Sequence, residues 1–171
     1  MPERTHVVIV ADDSPTVRAV VRMQLETAGY DVIDVDDGSP VVELAKKHDP
    51  TVILLDVDMP VLDGHQTLAA LKADPLTRDV PVVFLSSRAA GGDVAVALHQ
   101  GAHDYLRKPP EPHELLARVA VATRMKLLQD ELRARAAELE QLSQSDHLTG
   151  LSTRRYTDAR LTAAPSSSTR P

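Results

Sequence analysis

With 171 residues, the chain has room for one domain and an extension, or for two small domains at most. Hydrophobic residues make up 43% but aromatics only 2%, so the core must be aliphatic, and the net charge of -6 argues against nucleic-acid binding as the main function. The absence of cysteine excludes disulfides and thiol chemistry and leaves metal sites to oxygen or histidine. The opening residues lack the apolar stretch of a secretory signal, and no apolar run approaches the ~20 residues needed to cross a membrane. A cytoplasmic protein is expected.

His6 to Ala11 reads as a buried parallel strand that ends abruptly at Asp12 and Asp13. Ser14 can cap the following helix, with Pro15 at its first position and Val17, Val20, Val21 and Leu25 at helical spacing up to Gly29. Val32 to Val35 predicts a second strand, Asp37-Gly38 a turn, and Val41 to His48 a helix closed by Pro50. Thr51 to Leu55 predicts a third strand, followed by Asp56 and Asp58. After a loop through Met59-Pro60 and Asp63-Gly64, His65 to Ala73 reads as helix, and Val80 to Leu85 as a fourth strand ending in Ser86-Ser87. A weaker helix spans Asp93 to Gln100, and a short fifth strand runs from His103 to Leu106 before Arg107-Lys108-Pro109. A long helical stretch opens at Glu111, and the residues from Ala163 onward read as disordered.

Strand and helix alternate, which predicts an α/β fold: a parallel sheet with helices on both faces and right-handed crossovers. Ligands of such sheets bind beyond the carboxyl ends of the strands. Asp12 and Asp13, Asp56, Ser86 and Lys108 all follow predicted strands and therefore share one edge. Crowded carboxylates repel one another unless a proton or a cation intervenes. A hard divalent ion such as Mg²⁺ suits this set, with a lysine and a hydroxyl to hold a phosphoryl group. An aspartate can then serve as nucleophile and carry an acyl phosphate.

Each residue alone has an ordinary reading. Acids often end strands or cap helices, Lys108 can be a solvated turn charge, and Tyr105 can be a half-buried strand residue. The seven histidines show no ligand spacing and read as surface residues.

The joint pattern resembles the receiver domain of two-component response regulators. The residues that carry it are Asp12-Asp13, Asp56 within ILLDVDMPVLDG, Ser86 within PVVFLSS, Tyr105 and Lys108-Pro109. The resemblance covers residues 6–122 and implies a flavodoxin-like five-stranded parallel sheet in the order 2-1-3-4-5. It implies that Asp56 accepts a phosphoryl group from a histidine kinase or phosphotransfer protein. It also implies that Asp12, Asp13, Asp56 and the Asp58 backbone carbonyl hold Mg²⁺. Lys108, Ser86 and Ser87 would bind the phosphoryl group, and Ser86 and Tyr105 would switch with it. Two departures, Ser87 after the switch hydroxyl and Asp58 near the attacking-water path, bear on phosphoryl lifetime.

A 3-4 apolar spacing continues through Val121, Met125, Leu128, Leu132, Leu139 and Leu142, with Arg135 in the same seam and charged flanks. It predicts a long coiled-coil-type helix over residues 123–145 and a parallel homodimer. A single helix folded back on the receiver is the alternative. Residues Asp146 to Arg155 are similar to the opening segment of GGDEF-type diguanylate cyclases, with Thr153 in place of the usual Asn. That segment is assigned to 146–162 and a disordered tail to 163–171. No Gly-Gly-[Asp/Glu]-Glu-Phe sequence follows, so no cyclase activity is expected of these 171 residues. Asp56-Val57-Asp58 also resembles the signature of haloacid-dehalogenase phosphohydrolases, although it follows the third strand rather than the first. The remaining alternative is a dimerisation module that is never phosphorylated. Neither nucleic acid nor membrane is an expected partner.

Overall fold

The computed structural model describes residues 6–87 and 91–158, with backbone alone at 91, 92 and 145–158. Five strands, β1 (His6–Ala11), β2 (Tyr30–Val35), β3 (Val52–Asp56), β4 (Val82–Ser86) and β5 (Asp104–Arg107), form one parallel sheet in the order β2-β1-β3-β4-β5. Between them run α1 (Pro15–Thr27), α2 (Val41–His48), α3 (Gly64–Ala73) and α4 (Gly91–His99), and α5 spans Pro112–Asp158. This is the flavodoxin-like order. It makes β1 and β3 neighbours, with Ala11 opposite Leu55 in the register.

The all-apolar central strands are explained by burial on both faces. Every residue of β3 and β4 is buried. Alternate residues serve opposite cores. Ile9, Ile53, Leu55, Val82 and Phe84 pack with Val41 and Ala45 of α2, Leu68 and Leu71 of α3, and Ala97 of α4. Val8, Val10, Val52, Leu54, Val83 and Leu85 pack with Val21 and Leu25 of α1 and with Leu115, Val119 and Ala122 of α5. Phe84 is the one large aromatic in a core that is otherwise aliphatic, as the composition requires.

Three strands extend one residue further than their apolar runs, β3 to Asp56, β4 to Ser86 and β5 to Arg107. Asp56 stays in the ladder opposite Leu85, and Ser86 stays in it opposite Arg107. Hydrophobicity cannot mark these ends, because the ladder continues through backbone groups: Val57 N donates to Leu85 O at 3.1 Å and Lys108 N to Ser86 O at 2.8 Å. Asp56 and Ser86 are thereby held by sheet rather than by loop.

Local signals set the helix starts. Ser14 accepts from Val17 N at 3.4 Å with Pro15 behind it. Asp63 and Gln66 form a reciprocal capping box at the start of α3: Gln66 N donates to Asp63 Oδ1 at 2.8 Å, and Asp63 N donates to Gln66 Oε1 at 3.1 Å. Glu111 precedes α5 and accepts from Glu114 N at 2.9 Å. Gly64, the first residue of α3, lies against the sheet. A Cβ there would be 2.3 Å from Asp56 O and 2.9 Å from Val57 Cα, both backbone atoms that cannot swing away.

In the loop between Asp56 and α3, Val61 has φ 62°. Leu62 N donates to Pro60 O at 2.7 Å, closing a three-residue turn around it. A β-branched residue is disfavoured in this conformation. Val61 is also 85% exposed, so its side chain returns little by packing. Val61→Gly is expected to stabilise the protein by about 1 kcal/mol, read as a higher urea midpoint at unchanged slope. A lower midpoint would show that Val61 is not strained.

The chain divides into two units, Met1–Leu128 and Gln129–Pro171. In the second, the described residues are helical, and the side chains up to 144 are mostly exposed. The opening segment assigned to 146–162 coincides with the end of α5 and then passes outside the described residues, as does the tail 163–171. Among the described residues no helix is long and apolar enough to cross a membrane.

Candidate phosphoacceptor site

Parallel pairing places the ends of β1, β3, β4 and β5 along one edge. Asp12 and Asp56 are buried there, at 0% and 3% exposure, and Ser86 is buried at 3%, whereas Asp13 is exposed. One carboxylate oxygen from each of Asp12, Asp13 and Asp56 can be chosen so that all three lie within 4.8 Å of one another. Lys108 reaches back over the sheet edge. Its Nζ is 2.6 Å from Asp12 Oδ2 and 2.7 Å from Asp56 Oδ2. The Lys108–Pro109 peptide is cis.

The two buried carboxylates are each oriented by a second contact. Asp12 Oδ1 accepts from Ser14 N at 2.9 Å, so the start of α1 fixes this carboxylate. Arg18 Nη1 donates to Asp12 O at 2.6 Å. Asp56 Oδ1 accepts from Asp58 N at 3.3 Å. Asp58 and Ser87 are themselves exposed.

The electrostatics follow from crowding. Burial pushes the Asp56 carboxyl above its usual range, and the neighbouring Asp12 charge adds to this, while the hydrogen bond from Lys108 opposes it. Burial acts to lower Lys108, but hydrogen bonds to Asp12 and Asp56 outweigh it and the ammonium is held above its usual range. One ammonium against three carboxylates leaves the cluster net negative. The donor set is hard oxygen throughout, with Asp13 open to solvent, which fits a divalent cation that keeps part of its water shell.

Beside the cluster lies a cavity of about 280 Å³, lined by Val57, Asp58, His65, Ser86, Asp93 and Tyr105. Ser86 and Tyr105, named together from sequence, thus share its wall. Of the seven histidines, His65 lines this cavity. Its ring is partly buried, 5.2 Å from the Phe84 ring, and its Nδ1 is 2.7 Å from Gln100 Oε1. Spacing between histidines gave no sign of this. Its position as the second residue of α3, just after the loop that follows Asp56, is the feature that places it here.

Comparison with known proteins agrees with this geometry. Residues 8–120 match the response regulator receiver domain. The chain belongs to that family. It is 39% identical over 130 residues to Response regulator PleD of Caulobacter vibrioides, covering 76% of this chain and 29% of that protein. It is 40% identical over 117 residues to Transcriptional regulatory protein PrrA of Mycobacterium tuberculosis, covering 68% of this chain and 49% of that one. The chain therefore spans less than half the length of either relative. Among solved structures, a putative response regulator from Chloroflexus aurantiacus superposes with a TM-score of 0.67 at 30% identity, covering 71% of this chain and 99% of that one. The receiver domain of sensor histidine kinase PA1611 from Pseudomonas aeruginosa, described with a magnesium ion coordinated in its active-site cleft, gives 0.65 at 31%, covering 70% and 98%.

Proposed function

We propose that Asp56 is the phosphoacceptor of a two-component receiver, supplied by a sensor histidine kinase or a phosphotransfer protein. The observation that carries this is the convergence of Asp12, Asp13, Asp56 and Lys108 at one sheet edge, with Ser86 next to them. An Asp56 carboxylate oxygen forms the new P–O bond as the P–N bond of a phosphohistidine breaks, and the imidazole nitrogen keeps the bonding pair. Lys108, already on Asp56 Oδ2, is placed to pair with the phosphoryl oxygens. Mg²⁺ would be held by Asp12, Asp13, Asp56 and the Asp58 carbonyl, and would supply charge neutralisation. Ser86, and Ser87 beyond it, would receive the phosphoryl group, and Tyr105 would respond through the shared cavity.

The output proposal rests on sequence alone. Residues 146–162 would begin a GGDEF-type cyclase domain, and the helix over 123–145 would carry a homodimer to it. The receiver over 6–122 acts as a phosphoryl acceptor and not as a turnover enzyme. Against the phosphohydrolase reading, the aspartate pair follows the third strand rather than the first.

Magnesium is expected to raise the melting temperature, with about 2.7 kcal/mol of added stability at a hundredfold excess over its Kd. Asp13→Ala should weaken that response. An unchanged melting curve up to millimolar magnesium would count against the metal site. Incubation with Mg²⁺ and a small acyl phosphate should add one phosphoryl group by intact mass. An unmodified mass would favour the passive dimerisation module, and sustained turnover of a phosphate ester would favour the hydrolase.

A further inference from the structure

We propose that Arg135 sets the partner and register of the exposed leucine face in the second unit: a second copy of this chain, parallel and in register, held weakly. This rests on the homodimer proposed above and adds its alignment and its strength. Leu132, Leu139 and Leu142 are 68%, 67% and 61% exposed. Arg135 stands in the same row, three residues after Leu132 and four before Leu139. Its Nη2 is 2.6 Å from Glu131 Oε1 of its own helix.

The register follows from counting spoiled layers. In a parallel, unshifted pair both arginines fall in one layer, and the other layers remain apolar on apolar. An antiparallel or shifted pair sets each arginine against a leucine and spoils two layers. A single polar seam residue specifies alignment in this way, at a loss of stability. Glu131 already neutralises Arg135 within each helix, so the layer needs no acidic group from a different partner. The long arginine stem can also carry its guanidinium outward to water.

Weakness follows from the flanks. On one side of the seam stand Glu131 and Glu138, and on the other Gln129, Ala136 and Ser143. No oppositely charged residues face across a parallel pair there, so interhelical ion pairs do not offset the arginine layer. The pairing is then marginal.

The test is the dimer dissociation constant of the full chain by sedimentation, with Arg135→Leu beside the wild type and circular dichroism to verify folding. Arg135→Leu is expected to tighten the dimer by about tenfold or more. Because the chain has no cysteine, Leu142→Cys reports alignment. Oxidation should link two copies through this position. Equal dissociation constants would overturn the role of Arg135 while leaving the dimer standing. Dimers that Leu142→Cys fails to link would overturn the parallel register. Wild type and Arg135→Leu both monomeric at every concentration would overturn the dimer itself and this inference with it.

Discussion

Asp56→Asn is expected to abolish phosphorylation: with Mg²⁺ and a small acyl phosphate, the intact mass should not change, while the wild type gains one phosphoryl group. Asparagine keeps the shape but lacks the nucleophilic carboxylate oxygen. A phosphoryl group retained on the variant would move the acceptor elsewhere. The same substitution has a second consequence in metal-free protein. Burial and the Asp12 charge raise the Asp56 carboxyl, so the folded state binds more protons than the unfolded chain just above the ordinary carboxylate range. Ionised Asp56 therefore lowers stability as pH rises through that window. Asp56→Asn should melt higher than the wild type at neutral pH, with the gap closing as the solution is acidified. A gap that widens on acidification would contradict the assigned direction.

Phe84→Ala is the substitution expected to damage the fold most. Phe84 is fully buried in the core against α2, α3 and α4, and Phe→Ala in such a setting costs about 3–5 kcal/mol. Small domains have about 5–15 kcal/mol in total, so a large share is lost. Two contacts limit relaxation into the hole. The Phe84 ring touches the backbone-packed start of α3, with Cε1 3.0 Å from where a Gly64 Cβ would stand. It backs the His65 ring at 5.2 Å, and His65 in turn lines the cavity beside Ser86. Phe84→Leu should lose less than half as much. Urea melts of the two variants check both figures, and a loss below about 1 kcal/mol for Phe84→Ala would show that the core closes around the gap.

Residue type and local period alone mark the alternation of strands and helices, the aliphatic core and the acidic and basic strand ends. These are local facts: runs of Val, Ile and Leu end abruptly at Asp12, Asp56 or Ser86, and turn residues separate them. Asp12, Asp56, Ser86 and Lys108 were legible because each lies at or just beyond an apolar run.

Three things required the tertiary structure. The first is which strand ends touch: the β2-β1-β3-β4-β5 order brings Asp12 and Asp56 onto one Lys108 ammonium, and no spacing along the chain encodes that distance. The second is where ladders stop, since Asp56 and Ser86 are held by backbone hydrogen bonds that hydrophobicity does not report. The third is His65, whose burial depends on Gly64 letting α3 approach the sheet and on Gln100 arriving from beyond α4. Sequence carries residue type and local period. Long-range pairing decides which polar groups share a space and which charges must tolerate one another.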